Sequence, residues 1–337
     1  EFPKNWIITC PTCKKINIFI TRNIDKRCKY CGGSIPTIAN EFYIEPVYGF
    51  KGHEAKESTR LKPKRSYAGE VSYVGNGKTD EKRLVLGHSM GVETSSDDEL
   101  LVLNKSSFYM CPVCGYSDII KSGIKLPSIP KKHKNHKQFN CNCEKLDCLR
   151  LGHKFKTDVA RFTIPSLYSD EKIGYPRALS FLYAFLEGIS IALGIERRDI
   201  DGVLEMNLEC QSYDVLLYDD VPGGAGHVKR LLSGNAVINS LKAGLEKVST
   251  ECCAEDTSCY NCLRNYNNQS YHNLLQRKLA IDVIKRLLFE LNNTNETYQN
   301  ERWSWDPALR LSKRMKLKLG NDGRNPGNET ADDIWSD

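Results

Sequence analysis

Residues 216–232 read LLYDDVPGGAGHVKRLL, and this segment decides how the rest of the chain can fold. The apolar run at residues 215–218 has the length and residue types of a buried strand. Two aspartates, a proline and three glycines follow, and such residues are typical of a tight turn. Residues 225–232 then begin a helix. The sequence therefore predicts a strand, a glycine-rich turn and a helix in direct succession.

The glycine-rich turn has three interpretations. The free N–H groups and positive dipole end of a helix attract anions, and glycines leave room for a phosphate to approach. Alternatively, the glycines only form the turn and Asp220 caps the helix. A catalytic centre is the third alternative. The residues predicted to form this loop site are Asp219, Gly223, Gly224, Gly226 and His227.

Length and composition set the protein class. The chain has 337 residues, enough for two or three domains. The net charge of +6 is modest, so nucleic acid would be attracted by local patches. The sequence begins without Met and shows no signal pattern, which indicates a fragment or a processed subunit. A helix is predicted to start at Tyr175-Pro176 and to end at Gly194, and its apolar stretch, residues 179–193, is shorter than the ~20 residues that a membrane span needs. We expect a cytoplasmic protein with no membrane contact.

Fourteen cysteines without a secretory signal indicate metal ligands rather than disulfides. The clearest group is Cys10-Pro-Thr-Cys13 with Cys28-Lys-Tyr-Cys31. Each two-residue gap lets both thiolates of a knuckle bind one tetrahedral ion, as in a zinc ribbon. Four protein thiolates leave no open coordination position, so this zinc is predicted to be structural.

Two further cysteine groups bring the expected number of zinc ions to about three. The second group begins with the knuckle Cys111-Pro-Val-Cys114. Its other two ligands are expected among four residues, with the first two preferred: Cys141, Cys143, Cys148 and His153. The third group contains Cys252, Cys253, Cys259 and Cys262. Its four thiolates could close a site, or one of the adjacent pair could be unused.

Two basic runs are candidates for nucleic-acid contact. Residues 121–157 contain ten Lys or Arg and only two acidic residues. Such a run is either a solvated loop or, when held between zinc ligands, a surface that contacts phosphates. An earlier basic run lies in the strand-like region 41–104. The residues predicted to contact nucleic acid are Lys131, Lys132, Lys134, Lys137, Lys62, Lys64 and Arg65.

The last third of the chain has the pattern of a packed core. Residues 201–209 alternate between polar and apolar side chains, which predicts a half-buried strand in a hairpin with residues 213–219. An amphipathic helix is predicted over residues 271–291. Glu205, Glu209 and Asp219 could bind a divalent ion for a nuclease. Against this, the adjacent Asp219 and Asp220 would point to opposite faces of an extended strand.

Together these patterns predict an α+β fold, with zinc-ribbon β modules followed by a mixed α/β zinc-binding domain. The predicted domains are a zinc ribbon at residues 1–40, a β-rich region with the second cysteine group and basic loop at 41–157, an α/β domain with the third group at 158–292, and a polar tail at 293–337.

The last third resembles the MrfA-type zinc-binding (MZB) domain at the C-terminus of DEAD/DEAH helicases. The features that match are LYDDVPGGAGH at residues 217–227, the third cysteine group, and LRNYNNQSYH at 263–272. The doubled Cys252-Cys253 departs from the more usual spaced pair. Trp6, the first ribbon, the second cysteine group and LGHKFKTD at 151–158 are similar to the DrmB subunits of the DISARM antiphage system, which carry this domain without a motor.

The resemblance implies a non-catalytic accessory protein that binds DNA and the helicase subunit of the same system, in bacterial antiphage defence. The sequence agrees with a protein that has no ATPase motor. Residues 75–79 imitate a Walker A phosphate-binding loop, but Ser72 occupies the position at which that motif requires its first glycine. The alternatives are the C-terminal part of a DNA-repair helicase, a metal-dependent nuclease centred on residues 205–227, and a purely protein-binding scaffold.

Overall fold

The computed structural model describes residues 3–22, 26–39, 41–45, 69–75, 79–86, 89–105, 107–119, 133–135, 137–143, 146–170, 172–221 and 223–294. Within these ranges the strands are β1 (Asn5–Thr9), β2 (Ile16–Phe19), β3 (Glu41–Ile44), β4 (Gly69–Tyr73), β5 (Glu81–Leu84), β6 (Gly91–Asn104), β7 (Phe108–Met110), β8 (Ser117–Ile119), β9 (His133–Lys134), β10 (Asn140–Cys141), β11 (Asp147–Tyr168), β12 (Ile200–Asn207) and β13 (Ser212–Asp219). The helices are α1 (Gly174–Leu193), α2 (His227–Leu231), α3 (Ala236–Ser249) and α4 (Arg277–Thr294).

Eleven strands form one sheet, while β9 and β10 form a separate hairpin. The 22-residue β11 lies at the centre of the large sheet. It pairs antiparallel with β6, β7 and β13, and parallel with β3. Strand β3 leads on to β1 and β2 of the first ribbon. The predicted boundary between residues 157 and 158 falls inside β11, and the division into domains stays a prediction.

The hairpin expected in the last third is confirmed. Strands β12 and β13 pair antiparallel from Ile200 opposite Asp219 to Asn207 opposite Ser212. The run at residues 215–218 is almost fully buried, with at most 2% of any residue exposed. The structure combines strands and helices with several cysteine-rich clusters that could bind zinc. The predicted α+β fold class is therefore confirmed.

Helix α1 lies at the centre of the main core. It packs with α3 and α4 against β11, β12 and β13. The ring of Phe185 on α1 meets that of Phe162 on β11 edge-on, with centroids 5.6 Å apart. The helix ends at Gly194, which adopts the left-handed conformation with φ 63°. At 20 residues, α1 is by length and composition apolar enough to cross a membrane, but 61% of its 18-residue apolar stretch is buried inside the protein, as in a core helix.

The last helix starts later than predicted. It begins at Arg277, whereas Tyr271 lies in a short 3-10 helix at Gln269–Tyr271. The N–H groups of Arg277 and Lys278 donate to the carbonyl oxygens of Thr257 and Glu255, at 3.0 and 2.9 Å. The loop of the third cysteine group thus supplies acceptors for the first turn of α4, and this tertiary contact sets where the helix begins.

Two glycines let α1 and α3 come unusually close. A Cβ atom added to Gly188 would lie 2.0 Å from the carbonyl oxygen of Ser240 and 2.7 Å from the backbone nitrogen of Gly244. A Cβ on Gly244 would lie 2.6 Å from the carbonyl oxygen of Ala184. These clashes are with backbone atoms, so only glycine fits where the two helices cross.

We expect Gly188→Ala to lower the free energy of unfolding by about 1–3 kcal/mol, because the helices must separate to admit the methyl group. Ile191→Ala on the same helix is the control, since Ile191 is 55% exposed. Urea denaturation measures both variants. Equal destabilisation by the two substitutions would contradict the close helix contact.

Candidate metal centres

Among the residues that the structure describes, three groups of four side chains each converge on a point, and within a group all ligand atoms lie within 4.8 Å of one another. The groups are Cys10, Cys13, Cys28 and Cys31; Cys111, Cys114, His133 and Cys141; and Cys252, Cys253, Cys259 and Cys262. Tetrahedral zinc with Zn–S bonds of about 2.3 Å requires sulfur atoms about 3.8 Å apart. The sulfur–sulfur distances of Cys10–Cys31 and Cys111–Cys141 are 3.7 and 3.9 Å. The residues fit zinc, and the prediction of about three zinc sites is confirmed.

The three Cys-X-X-Cys knuckles of the first two centres share one backbone geometry. In each, the first cysteine donates its N–H to the residue five positions later and accepts one from the residue four positions later, at 2.7–3.0 Å. The residue after the second cysteine has positive φ: 60° at Lys14, 68° at Gly32 and 75° at Gly115. The turns hold both thiolates of a knuckle towards the same side.

In the first centre, the surrounding N–H groups lower the pKa of the Cys28 thiol even without a bound metal. Burial alone would raise the pKa of the Cys28 thiol, but N–H groups of Tyr30 and Cys31 and the amide of Asn17 outweigh burial and lower this pKa to about 6. The Asn17 amide nitrogen lies 3.3 Å from the Cys28 sulfur. Burial raises the pKa of Cys13 to about 12. Zinc binds cysteine as the thiolate, so metal binding at this centre displaces the proton of Cys13.

The second centre uses a ligand that the sequence analysis did not select. His133 joins Cys111, Cys114 and Cys141, whereas Cys143, Cys148 and His153 are outside the group. His133 is 5% exposed, and among the residues that the structure describes neither of its ring nitrogens has a hydrogen-bond partner outside the group. A buried imidazole without partners is costly unless a metal binds it.

The reason for the mismatch is structural. Cys148 lies in β11, opposite Tyr109 of β7, and His153 pairs with Glu45. His133 stands directly opposite Cys141 in the β9–β10 ladder, so both side chains project from the same face of the hairpin. The sequence analysis did not select His133, which lies within the basic run. A histidine eight residues before a cysteine does not match the spacing of a metal-binding knuckle.

The third centre includes both members of the adjacent pair, Cys252 and Cys253, so neither is unused in the group. Cys259 and Cys262 are joined by a helix-like turn, in which the N–H groups of Cys262 and the next two residues donate to the Cys259 carbonyl. His272 is not part of the group, because its Nε2 lies 2.9 Å from Asn268 Oδ1.

Arg277 provides a buried positive charge beside the third centre. It is 3% exposed, its Nε donates to the Val248 carbonyl at 2.9 Å, and its Nη1 contacts the Cys253 carbonyl. The same nitrogen lies 3.9 Å from the Cys253 sulfur. Four thiolates around one Zn²⁺ carry net negative charge, and the guanidinium partly compensates it in this buried place.

We expect His133→Ala to lower the zinc content by one ion per chain, because it removes a ligand of the second centre. Cys143→Ser and Cys148→Ser are matched controls from the same region and should leave the zinc content unchanged. Elemental analysis after dialysis against a competing chelator measures all three. Loss of zinc from either serine variant, with none from His133→Ala, would restore the original ligand assignment.

The glycine-rich turn is filled by the chain's own carboxylate. Asp219 is fully buried, and its two carboxylate oxygens accept N–H groups from Ala225, His227 and Val228 at 2.7, 3.1 and 2.9 Å. Asp219, rather than Asp220, therefore caps α2, a helix of only five residues. An external anion would compete with this internal one.

The anion site predicted at Asp219, Gly223, Gly224, Gly226 and His227 is therefore not supported, and the structural turn is. The three glycines have φ between 75° and 87°, the left-handed region that favours glycine. A Cβ on Gly224 would also lie 3.0 Å from the carboxyl group of Asp158.

The nuclease carboxylates do not come together. Glu205 Oε2 forms ion pairs with Lys15 at 2.9 Å and Arg161 at 2.8 Å. Asp219 is occupied by backbone N–H groups. Among the residues that the structure describes, no group of candidate metal ligands includes Glu205, Glu209 or Asp219.

We expect Asp219→Ala to lower the free energy of unfolding by about 3 kcal/mol or more, since three N–H groups lose a charged acceptor in a buried site. Asp220→Ala, at the adjacent position, should not lower stability, because partial burial and the nearby Asp201 raise the pKa of Asp220 to about 6 and its charge is unfavourable in the fold. Thermal or urea unfolding measures both. A stable Asp219→Ala variant would contradict the capping role.

The structure describes two of the seven residues predicted to contact nucleic acid. Lys134 and Lys137 are exposed on the β9–β10 hairpin. Lys62, Lys64, Arg65, Lys131 and Lys132 lie outside the described residues.

Comparison with known proteins adds to this geometry. Residues 181–263 match the MrfA Zn-binding domain (MZB), a segment that contains β12, β13 and the third centre. Over 317 residues, 85% of this chain, the sequence is 24% identical to the Druantia protein DruE of Escherichia coli (strain UMEA 4076-1). That alignment covers 17% of DruE.

Crystal structures of the DUF1998 helicase MrfA are also similar. The DNA-bound form shares 14% identity over 68% of this chain and 25% of that chain, with a TM-score of 0.39. A second crystal structure of MrfA shares 11% identity over 65% of this chain and 24% of that chain, with a TM-score of 0.32. The chain thus spans about a sixth of DruE and a quarter of MrfA. None of these similarities shows the resemblance to DrmB, which stays a prediction.

Proposed function

We propose that this chain is a non-catalytic zinc-binding module that binds DNA and a helicase partner in bacterial antiphage defence. The observation that carries the proposal is the third centre, because it is a complete four-thiolate site inside the segment that matches the MrfA Zn-binding domain. A site with four protein ligands stabilises a fold and leaves zinc no open position for a substrate.

The zinc centres would fix surfaces for binding. Structural zinc contributes ~10–16 kcal/mol of apparent binding energy in small peptides, comparable with the ~5–15 kcal/mol stability of a whole domain. Lys134 and Lys137 are exposed and lie in sequence between His133 and Cys141, two ligands of the second centre. Lysines on a rigid loop suit contact with phosphates.

The setting of the module follows from its relatives. The similarity to DruE supports a role in a Druantia-like system, whereas a DISARM-like role rests on the resemblance to DrmB alone. The MrfA domain match favours a second arrangement, in which the module is part of a helicase and the motor belongs to the same polypeptide. In both arrangements the module binds DNA for a motor and does not cleave it.

The DNA-binding test uses fluorescence anisotropy of labelled oligonucleotides with the zinc-loaded chain over a range of salt concentrations. We expect affinity to fall steeply with salt, because bound phosphates release counterions. Lys134→Glu combined with Lys137→Glu should weaken binding and flatten the salt dependence. Lys285→Glu combined with Arg286→Glu makes the same charge change on the exposed side of α4 and is the matched control.

Absence of salt-dependent binding by the zinc-loaded chain would refute the DNA-binding proposal. Equal weakening by both charge reversals would show non-specific attraction rather than binding at the hairpin. Cleavage of the labelled DNA with magnesium or manganese would return the nuclease alternative. The partner is tested separately, by co-purification with the helicase of the same system.

A further inference from the structure

The β9–β10 hairpin exposes an aromatic ring at its tip. Phe139 is 68% exposed, and Lys134 and Lys137 are exposed beside it in the sequence. Residues 133–143 contain no acidic side chain. A single exposed apolar residue is common on protein surfaces and needs no explanation alone. An aromatic ring in a basic loop is the combination that binds single-stranded nucleic acid.

The backbone around Phe139 is fixed. Its N–H donates to the Asn135 side-chain oxygen at 3.0 Å, and its carbonyl accepts the Asn135 N–H at 2.9 Å. The same Asn135 oxygen also accepts the N–H of Lys137 at 2.9 Å. Gln138, directly before Phe139, has a φ of 65°, in the left-handed region. The ring is thus presented outward on a loop that loses little freedom when a ligand binds.

The metal centre holds the base of the same loop. His133 and Cys141 face each other in the ladder, and both belong to the second centre. A two-residue strand pair has little stability of its own. Zinc would therefore fix the hairpin at its base while the hydrogen bonds of Asn135 fix it at the tip.

We propose that Phe139 stacks on an unpaired base of single-stranded DNA, with Lys134 and Lys137 contacting the neighbouring phosphates. This inference rests on the proposed DNA-binding function and specifies its substrate class. Every base has a face on which a phenyl ring can stack, so such contact is independent of sequence. Bases inside a duplex are already stacked on their neighbours, which leaves them unavailable to the ring. The hairpin would therefore distinguish single strands from duplex.

The test compares the affinity of the full zinc-loaded chain for a single strand and for the matching duplex. We expect Phe139→Ala to weaken single-strand binding about tenfold or more and to leave duplex binding unchanged. Phe139→Trp should retain binding because it keeps an aromatic face. Phe139→Leu should behave like Phe139→Ala, because it keeps the apolar volume without that face. Val113→Ala is the matched control, since Val113 is 75% exposed on a knuckle of the same zinc centre.

A spectroscopic measurement reports the stacking itself. A 2-aminopurine base in the single strand should lose fluorescence on binding the unsubstituted chain and not on binding Phe139→Ala. Zinc content, measured in every variant, shows that the second centre is intact.

The outcomes separate this inference from the proposed function. If the unsubstituted chain binds DNA and Phe139→Ala binds the single strand equally well, the stacking role fails and DNA binding stands. If Phe139→Leu binds the single strand as well as the unsubstituted chain, the contact is only apolar and the stacking role also fails. If Phe139→Ala impairs capture of the helicase partner but not of the single strand, the tip is a protein-binding surface. If the unsubstituted chain binds no DNA, both proposals fall.

Discussion

Strand β11 pairs with four other strands, and its backbone hydrogen bonds connect strands that lead along the chain to each of the three zinc centres. Through β3 it reaches the first ribbon, and through β7 it reaches Cys111 of the second centre. Through β13 it supports Asp219, after which the chain passes through α2 and α3 to the third centre. Separate zinc modules need no particular orientation towards one another. Here one shared sheet fixes their relative positions.

Buried charges add orientation to this sheet. Lys15 of the first ribbon pairs with Glu205 of β12, and Glu205 shares Arg161 of β11 with Asp214 of β13. Burial raises the pKa of Asp214 although Arg161 opposes the rise. Such a network contributes little net stability, because desolvation offsets the attraction. In another orientation of the first ribbon these charges would lose their partners. The network therefore favours one orientation of the ribbon against the β12–β13 hairpin. Glu205, one of the candidate nuclease carboxylates, is therefore part of this structural ion-pair network.

The sequence was informative where spacing or periodicity alone determines structure. Local spacing was enough for the first ribbon, and alternation was enough for the β12–β13 hairpin. The zinc ligand His133 was missed because strand pairing, and not spacing, brings it to Cys141. The sequence also could not decide which of Asp219 and Asp220 faces inward, since that depends on the register of β13 with β11 and β12. Phe139 carried no signal in the sequence, because its importance comes from exposure on a fixed loop.

The long sequence separation between β11 and β3 also has a consequence for folding kinetics. The first ribbon closes within residues 10–31 and the third centre within residues 252–262, whereas β11 must find β3 about a hundred positions earlier in the chain. Short loops close at a smaller entropic cost than long ones, and topologies dominated by distant pairings fold slowly. We therefore expect the two local metal loops to close before the sheet assembles. On this expectation, metal supplied during synthesis would help more of the chain to reach its native state than metal added to the finished protein.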